Sequence, residues 1–459
     1  MKRLVGMIVL LAALCAGFVG FSWVMYLSAA WAGYELAVKV GAPALYGATL
    51  SNVFWLMLVV LMVSGSLLTV AERKWSAMLQ NRIGANRIKV FGYALGGIPF
   101  LLADALKMLT KERVEPQGRT RFLYGLAPVL AFVPVFALFA IVPVGGPVLM
   151  RDLLPATWFV GLPPSAAGLG ATPISLQVSA NDTGLLYVFA IASLQVYGTS
   201  LAGWASNNKL ALLGGVRASS QMISYEVSLG LSLVGCMMAF RTLRLDEMVV
   251  RQGQAVLGFL PALGILLQPV GFLIFFASAF AETKRAPFDL PEGESEIVGY
   301  FVEYSGMKFG LMFLSEFMEI VVLSGVVAAV FLGGWQPIVV PFAWLQQAVG
   351  PVLAACIGAA TFLVKMVLLM WLQLTIRWLL PRFRYDQIQK LCWKILLPAA
   401  LINVFVTGAA ILLDGSASRL DYVAALGLLT ILVVALVTTA AGRAPRAEAA
   451  HGGAHAAGH

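Results

Sequence analysis

Apolar residues run along this chain in long stretches broken by short polar segments, a pattern that predicts helices crossing a lipid bilayer. A crossing needs about 20 mainly apolar residues. Ten stretches qualify: Leu4–Ser28, Leu50–Val70, Phe122–Pro143, Thr183–Gly203, Gln221–Phe240, Val256–Ala281, Phe309–Leu332, Pro351–Leu380, Ile395–Leu413 and Tyr422–Ala441. None shows the short alternating segments of a closed barrel strand. The predicted fold class is an all-α polytopic membrane protein of about ten transmembrane helices.

One polar connection carries a different periodicity. Between Glu72 and Arg121 the string LLADALKMLTKE places Leu101, Leu102, Ala105, Leu106 and Leu109 on one helical face and Asp104, Lys107, Lys111 and Glu112 on the other. That is the pattern of an amphipathic helix lying along the membrane surface. Such a helix can be a lid, or one wall of a cavity completed by a soluble partner whose acidic surface the basic loop attracts. The residues leave both readings open.

Composition agrees with the pattern: 60% of residues are hydrophobic, only 12% are charged, and the mean hydropathy is +0.88. The formal charge of +9 is an orientation signal. With a cytoplasmic N-terminus, 24 Lys and Arg fall on the inner side, six on the outer, and Lys365 inside a span, as the positive-inside rule requires. An anionic inner leaflet accounts for the excess, and no nucleic-acid partner is expected. The first span can be read as a signal peptide, but its 25 residues exceed an ordinary signal core of about 7–15 and favour a retained anchor.

Cys15, Cys236, Cys356 and Cys392 form no CxxC pair, and His451, His455 and His459 lie in an Ala/Gly-rich tail. Neither an iron–sulfur cluster nor a metal site is expected, and no phosphate-binding glycine loop is present.

Candidate chemistry lies in acids beside lipid. AETKRAPFDLPEGESEIVGYFVEYSGM, from Ala281 to Met307, sets Glu282, Asp289, Glu292, Glu294, Glu296 and Glu303 between two apolar stretches. Acids there are costly unless paired, hydrated or protonated, so they point to a proton or ligand site; a solvated loop is the alternative. Lys284 and Arg285 cannot neutralise six acids, so other cations or protons must contribute. If the segment after Pro291 is helical, Glu292, Glu296 and Glu303 share one face, and their repulsion favours holding a proton.

Glu226 sits within an apolar helix, nine residues from Arg217, and therefore needs a partner from another span. Glu316 and Glu319, three residues apart, pose the same question. Lys365, near the middle of its span, needs a counter-charge or deprotonation if buried, snorkelling being the alternative.

The strings ERK with NRIGANR, ADALKMLTKE, GWASNNKLALLGGVRASSQMISYEV, AETKRAPFDLPEGESE with EYSGMKF, and PRFRYDQ follow in order along the chain. In this it resembles the H-subunit family of proton-pumping NADH:quinone oxidoreductase, bacterial complex I. The resemblance covers roughly residues 46–413, eight of the ten spans. It implies a non-redox membrane subunit beneath the peripheral arm of a translocase, helping to form a chamber for quinone, ubiquinone or menaquinone, as substrate, with no flavin or iron–sulfur cluster of its own. By motif, Glu72, Arg73, Arg82 and Asp104 would line the quinone path. Glu226, Glu282, Asp289, Glu292, Glu294, Glu296, Glu303 and Glu316 would form an acidic proton path, with Lys365 also matching.

Implied partners are the quinone-site and terminal iron–sulfur subunits, small and antiporter-like membrane subunits, and membrane lipid. The implied location is the cell inner membrane. Lys284 stands where the family pattern usually has Asn, Ala85 where it has Pro, and the run from Gly92 to Asp104 is longer than usual. By this division residues 1–45 are an added anchor and linker, 414–441 an added helix and 442–459 a disordered tail. A hydrogenase-linked relative, a lone secondary transporter and a structural scaffold are the competing classes; EYSGM and PRFRYDQ favour the quinone enzyme over the first, and no inverted repeat supports the second.

Overall fold

A computed structural model of the chain describes residues 2–88, 97–159, 168–256, 260–291, 299–338, 340–413 and 419–443. Eight described helices are long and apolar enough to cross a membrane, and two shorter apolar helices accompany them. The main helices are α1 (Lys2–Val40), α2 (Ala44–Leu79), α3 (Pro99–Thr110), α4 (Arg121–Phe139), α5 (Gly184–Ala205) and α6 (Lys209–Phe240). They continue as α7 (Leu245–Gln252), α8 (Pro269–Glu282), α9 (Met307–Phe331), α10 (Pro351–Leu379), α11 (Tyr385–Leu412) and α12 (Arg419–Arg443). Among the described residues the bundle is all-α apart from two small antiparallel pairs. In the first, β1 (Gly145–Leu149) pairs with β2 (Pro173–Leu176); in the second, β3 (Ala255–Val256) pairs with β4 (Leu260–Pro261).

Helix α9 is the axis of the bundle, with 89% of its apolar window buried. Its enclosure explains why the acids it carries meet protein groups rather than lipid. Around it, glycines let backbones approach closely. A Cβ on Gly198 of α5 would lie 2.6 Å from the Ala131 backbone nitrogen of α4, and one on Gly65 of α2 would lie 2.7 Å from Met318 Cγ of α9. Helix α1 joins the bundle by the same device: a Cβ on Gly47 would collide with the Ala32 carbonyl oxygen. Its Tyr26 hydroxyl donates to the Gly146 carbonyl at 2.6 Å. Asn52 of α2 donates to the carbonyls of Ser175 and Gln177, both at 2.8 Å, tying the outer hairpin to the helices.

The expected span Val256–Ala281 is not one helix. The chain forms β3 and β4, a turn of helix at Gly264–Leu267, and only then α8, which starts on Pro269. Pro261 and Pro269 cannot continue a helical ladder. A Cβ on Gly264 would collide with the Val330 carbonyl oxygen, so the turn is pressed against the end of α9. Irregular backbone at this depth needs other partners; local turn bonds, such as that from the Gln268 amide to the Gly264 carbonyl at 2.8 Å, supply some, and buried glutamine side chains brace the segment. Gln252 accepts from the Gly264 amide at 3.1 Å and donates to the Ala329 carbonyl at 2.8 Å, while Gln268 donates to Thr407 at 2.9 Å.

The amphipathic expectation matches α3, with Leu102, Leu106 and Leu109 exposed along it. The three histidines and the tail lie outside the described residues, as do Glu292, Glu294 and Glu296.

Candidate functional site, a buried line of charge

The site starts where α2, α10 and the loop after α8 meet. Glu72, in the penultimate turns of α2, is ion-paired with Arg377 in the last turn of α10 and lies 4.0 Å from Arg285. Beneath them Trp75 and Trp371 meet edge to face, ring centres 5.1 Å apart. Arg285 is 3.3 Å from Glu316 and lies over the Phe317 ring at 4.2 Å. Stacking and the planar guanidinium suit arginine to a buried position of this kind. The Tyr300 hydroxyl donates to the other oxygen of Glu316 at 2.9 Å.

One turn further along α9, Glu319 accepts from the Gln195 amide at 2.8 Å and lies 3.8 Å from the ammonium of Lys284. Glu319, Glu282 and Glu226 then line one enclosed cavity of about 10 Å³, otherwise apolar, with residues such as Leu138, Phe275 and Val322 in its wall. That is room for about one water molecule. Glu226 accepts from Ser193 of α5, the partner from another span that its isolation required. The line thus runs Arg377, Glu72, Arg285, Glu316, Lys284, Glu319, then the pocket with Glu282 and Glu226. Of the six acids between Ala281 and Met307, Asp289 is given a cation by Arg382 at 2.6 Å, while Arg377 serves Glu72 outside that group.

The loop after α8 is shaped for this by local interactions. Gln221 of α6 donates to the carbonyls of Ala281 at 2.6 Å and Phe288 at 2.8 Å, holding both ends of the turn. Lys284 adopts a left-handed conformation, φ 55°, so two consecutive cations reach two successive acids on α9.

Asp289 lies in that loop, outside the spanning helices. Burial pushes its carboxyl up to about 6, although Arg382 and Arg377 pull in the opposite direction. The desolvation cost exceeds the Coulombic gain because Arg382 is half-exposed and so screened by solvent. Asp289 is therefore ionised above about pH 6 and takes up a proton as pH falls through it. Asp289→Asn, which mimics the protonated form at every pH, should remove an acid-side inflection near pH 6 from the turnover profile of the assembled enzyme. Persistence of the same inflection in the variant would refute the assignment.

A second feature adjoins the line. An apolar cavity of about 260 Å³ lies between α2, α3 and α9, lined by Met62, Ser66, Leu101, Met108, Gly310 and Phe313 among others. A more polar cavity of about 470 Å³ continues from it past Arg73, Lys107, Lys111, Tyr304 and Phe309. Asp104, Met108 and Phe313 border both. Asp104 is ion-paired with Arg73 at 2.9 Å, so the pair stands at the junction.

Three sequence expectations are displaced. Arg82 is exposed just beyond α2, donates to Gln80 at 2.6 Å and borders neither cavity. Glu303 is not on a helix continuing from Pro291: residues 299–306 form turns, bounded by Gly299 (φ 117°) and Gly306 (φ 60°). Its carboxylate accepts from Asn208 at 2.5 Å, away from the acidic pocket. Lys365 is buried, has no counter-charge among the described residues and does not snorkel; its ammonium donates to the carbonyls of Leu332, Gly334 and Gln336 at 2.6, 2.8 and 2.6 Å. These carbonyls follow the end of α9 farthest from Glu316 and Glu319.

Glu319, Lys284, Arg285 and Arg377 belong to the line although none is among the path residues expected by motif, and sequence reasoning misses Gln195 altogether. The available signal for Gln195 is one amide within an apolar span.

A multi-pass all-α bundle whose axis carries ionisable groups, with an apolar cavity beside them, defines the class as a polytopic membrane protein. A family model described as NADH dehydrogenase matches residues 52–408. The second of the NADH-quinone oxidoreductase H-subunits of Geobacter sulfurreducens is 41% identical over 367 residues, covering 80% of this chain and 96% of that protein. Its namesake from Syntrophobacter fumaroxidans is 42% identical over 362 residues, 78% of this chain and 95% of its own length. The first NADH-quinone oxidoreductase H-subunit of Cytophaga hutchinsonii is 40% identical over 362 residues, 79% and 95% of the two chains. The chain belongs to the H-subunit family of NADH-quinone oxidoreductase and is a membrane subunit of that enzyme complex.

Proposed function

We propose that this chain helps form the quinone chamber of a proton-translocating NADH:quinone oxidoreductase and couples quinone reduction to proton movement through its buried acids. The observation that carries the reading is the adjacency of an apolar cavity, the Arg73–Asp104 pair on its rim and the buried charged line, which meets the cavity wall where Arg285 lies 5.8 Å from the Phe313 ring. An apolar ring and tail fit the cavity between α2, α3 and α9, and the polar cavity beyond suits a headgroup that gains charge on reduction.

Quinone reduction consumes two electrons and two protons, and the electrons come from partner subunits carrying the redox centres. Negative charge arising beside Arg73 alters the balance along Glu72, Arg285 and Glu316. Unit charges 4 Å apart interact by roughly 4 kcal/mol at an effective dielectric of 20, enough to redistribute protons among neighbouring carboxyls. Glu226 and Glu282, beside a one-water pocket, pass the change toward antiporter-like neighbours. Residues 1–45 and 414–441 act as added anchors, and the N-terminus faces the cytoplasm of a cell whose inner membrane holds the complex.

Filling the apolar cavity tests the reading. Ser66→Trp should lower quinone-linked NADH oxidation about tenfold in membranes while NADH oxidation by a hydrophilic acceptor such as ferricyanide, which need not enter this chain, stays unchanged. Equal rates with quinone in variant and wild type would place the substrate elsewhere.

A further inference from the structure

We propose that Gln195 and Lys284 are positioning residues that together orient the Glu319 carboxylate, making it a fixed junction between the Arg285–Glu316 pair and the pocket shared by Glu226 and Glu282. The proposal rests on the proton-path reading and adds to it a division of labour among the acids.

Three buried carboxylates, Glu316, Glu319 and Glu282, and the half-buried Glu226 are held in different ways. Glu316 has a cation, Arg285, and a neutral donor, the Tyr300 hydroxyl. Glu319, three residues on and therefore on the same face of α9, repeats the arrangement with Lys284 and the Gln195 amide. Glu226 has a neutral donor, Ser193, but no ion pair, and Glu282 has neither among the described residues. Anchoring therefore falls along the line, from two fixed acids to two looser ones, and the change occurs at Glu319.

Gln195 is costly where it stands. It is 1% exposed within α5, and its carbonyl oxygen has no hydrogen-bond partner among the described residues. A leucine there would bury no unsatisfied acceptor. What the amide supplies is one bond to one oxygen of Glu319, the same oxygen that Lys284 approaches. Lys284 is itself 1% exposed and occupies a left-handed backbone conformation that a lysine rarely adopts. Two unfavourable placements converging on one atom are accounted for if that atom must be held still. Glu319 also borders the one-water cavity, so fixing the carboxylate fixes the entry to the pocket.

The test uses the whole complex in membrane vesicles carrying Gln195→Leu, Lys284→Met, the double variant, Lys284→Arg and Glu319→Gln. Each of the first two should lower quinone-linked NADH oxidation about tenfold, on the scale of one hydrogen bond to a charged group for Gln195 and of one close ion pair for Lys284. Because both act through one carboxylate, the double variant should be no slower than the slower single one. Lys284→Arg should recover most of the loss. The redox-difference infrared band of Glu319, identified by its disappearance in Glu319→Gln, should shift in Gln195→Leu. Single variants within twofold of wild type, losses that multiply in the double variant, or an unmoved band would each overturn the proposal. Should Lys284→Met fail to assemble, Gln195→Leu, close in volume, decides the matter through rate and band alone. If Glu319→Gln itself retains normal turnover and proton pumping, the proton-path reading fails instead.

Discussion

Replacing Arg285 with Met is expected to reduce quinone-linked NADH oxidation by at least about a hundredfold and to deplete the assembled complex. Arg285 is buried between Glu316 at 3.3 Å and Glu72 at 4.0 Å. Breaking a buried ion pair by removing one partner costs about 3–5 kcal/mol, because the remaining charge is left uncompensated. Here two carboxylates lose a cation at once, and among the described residues only Glu72 retains another, Arg377. Met conserves much of the volume above Phe317, so the loss is electrostatic more than steric.

Arg285→Lys keeps the charge while losing the planar stack over Phe317 and should assemble with reduced turnover. Native gel electrophoresis of solubilised membranes measures assembly, and quinone-linked oxidation measures the rest. An Arg285→Met complex that assembles and turns over normally would show that the pairing contributes little, and the coupled line of charge would have to be abandoned.

How much of this line is legible in the chain depends on how local its cause is. The need of Glu226 for a partner from another span follows from its distance to Arg217, and Ser193 meets that need. The shortfall of cations in the AETKR segment is likewise visible as arithmetic of charge. Where the partner cations come from is not: Arg377 is 305 residues from Glu72 and Arg382 is 93 from Asp289, and no periodicity spans such separations.

Glu303 falls outside the expected group because its alignment with Glu292 and Glu296 presupposes a helix. Gly299 and Gly306, both at positive φ, instead belong to turns that carry it toward Asn208. The span from Val256 departs from expectation for a related reason. Its hydropathy is continuous, but Pro261, Gly264 and Pro269 impose irregular backbone, whose groups are satisfied by local turn bonds and by the buried Gln252 side chain. Hydropathy reports where the chain sits; backbone hydrogen-bond supply decides what shape it takes there.

Lys365 is where the two levels of reading diverge most, and Lys365→Met separates them. A lysine in mid-span suggests a charge that moves, yet its ammonium is spent on three carbonyls beyond the end of α9, at 2.6, 2.8 and 2.6 Å. Gly333 and Gly334, at φ 75° and 51°, turn those carbonyls toward it. Carbonyls of the helix cap and the turn after it lack ladder partners, and a buried cation satisfies several at once while lying near the negative end of the helix dipole. Met would leave these oxygens buried without a donor, at about 1–3 kcal/mol for each group not otherwise satisfied.

The expected outcome is a loss of about 4 kcal/mol or more in the stability of the chain, on the scale of other broken buried polar networks. It would be read as a lowered melting transition of the purified complex. Turnover per assembled complex at low temperature should stay near that of wild type, because the site is more than ten residues along α9 from Glu319. A variant of unchanged melting temperature but impaired proton pumping would reverse this assignment and return Lys365 to the proton path.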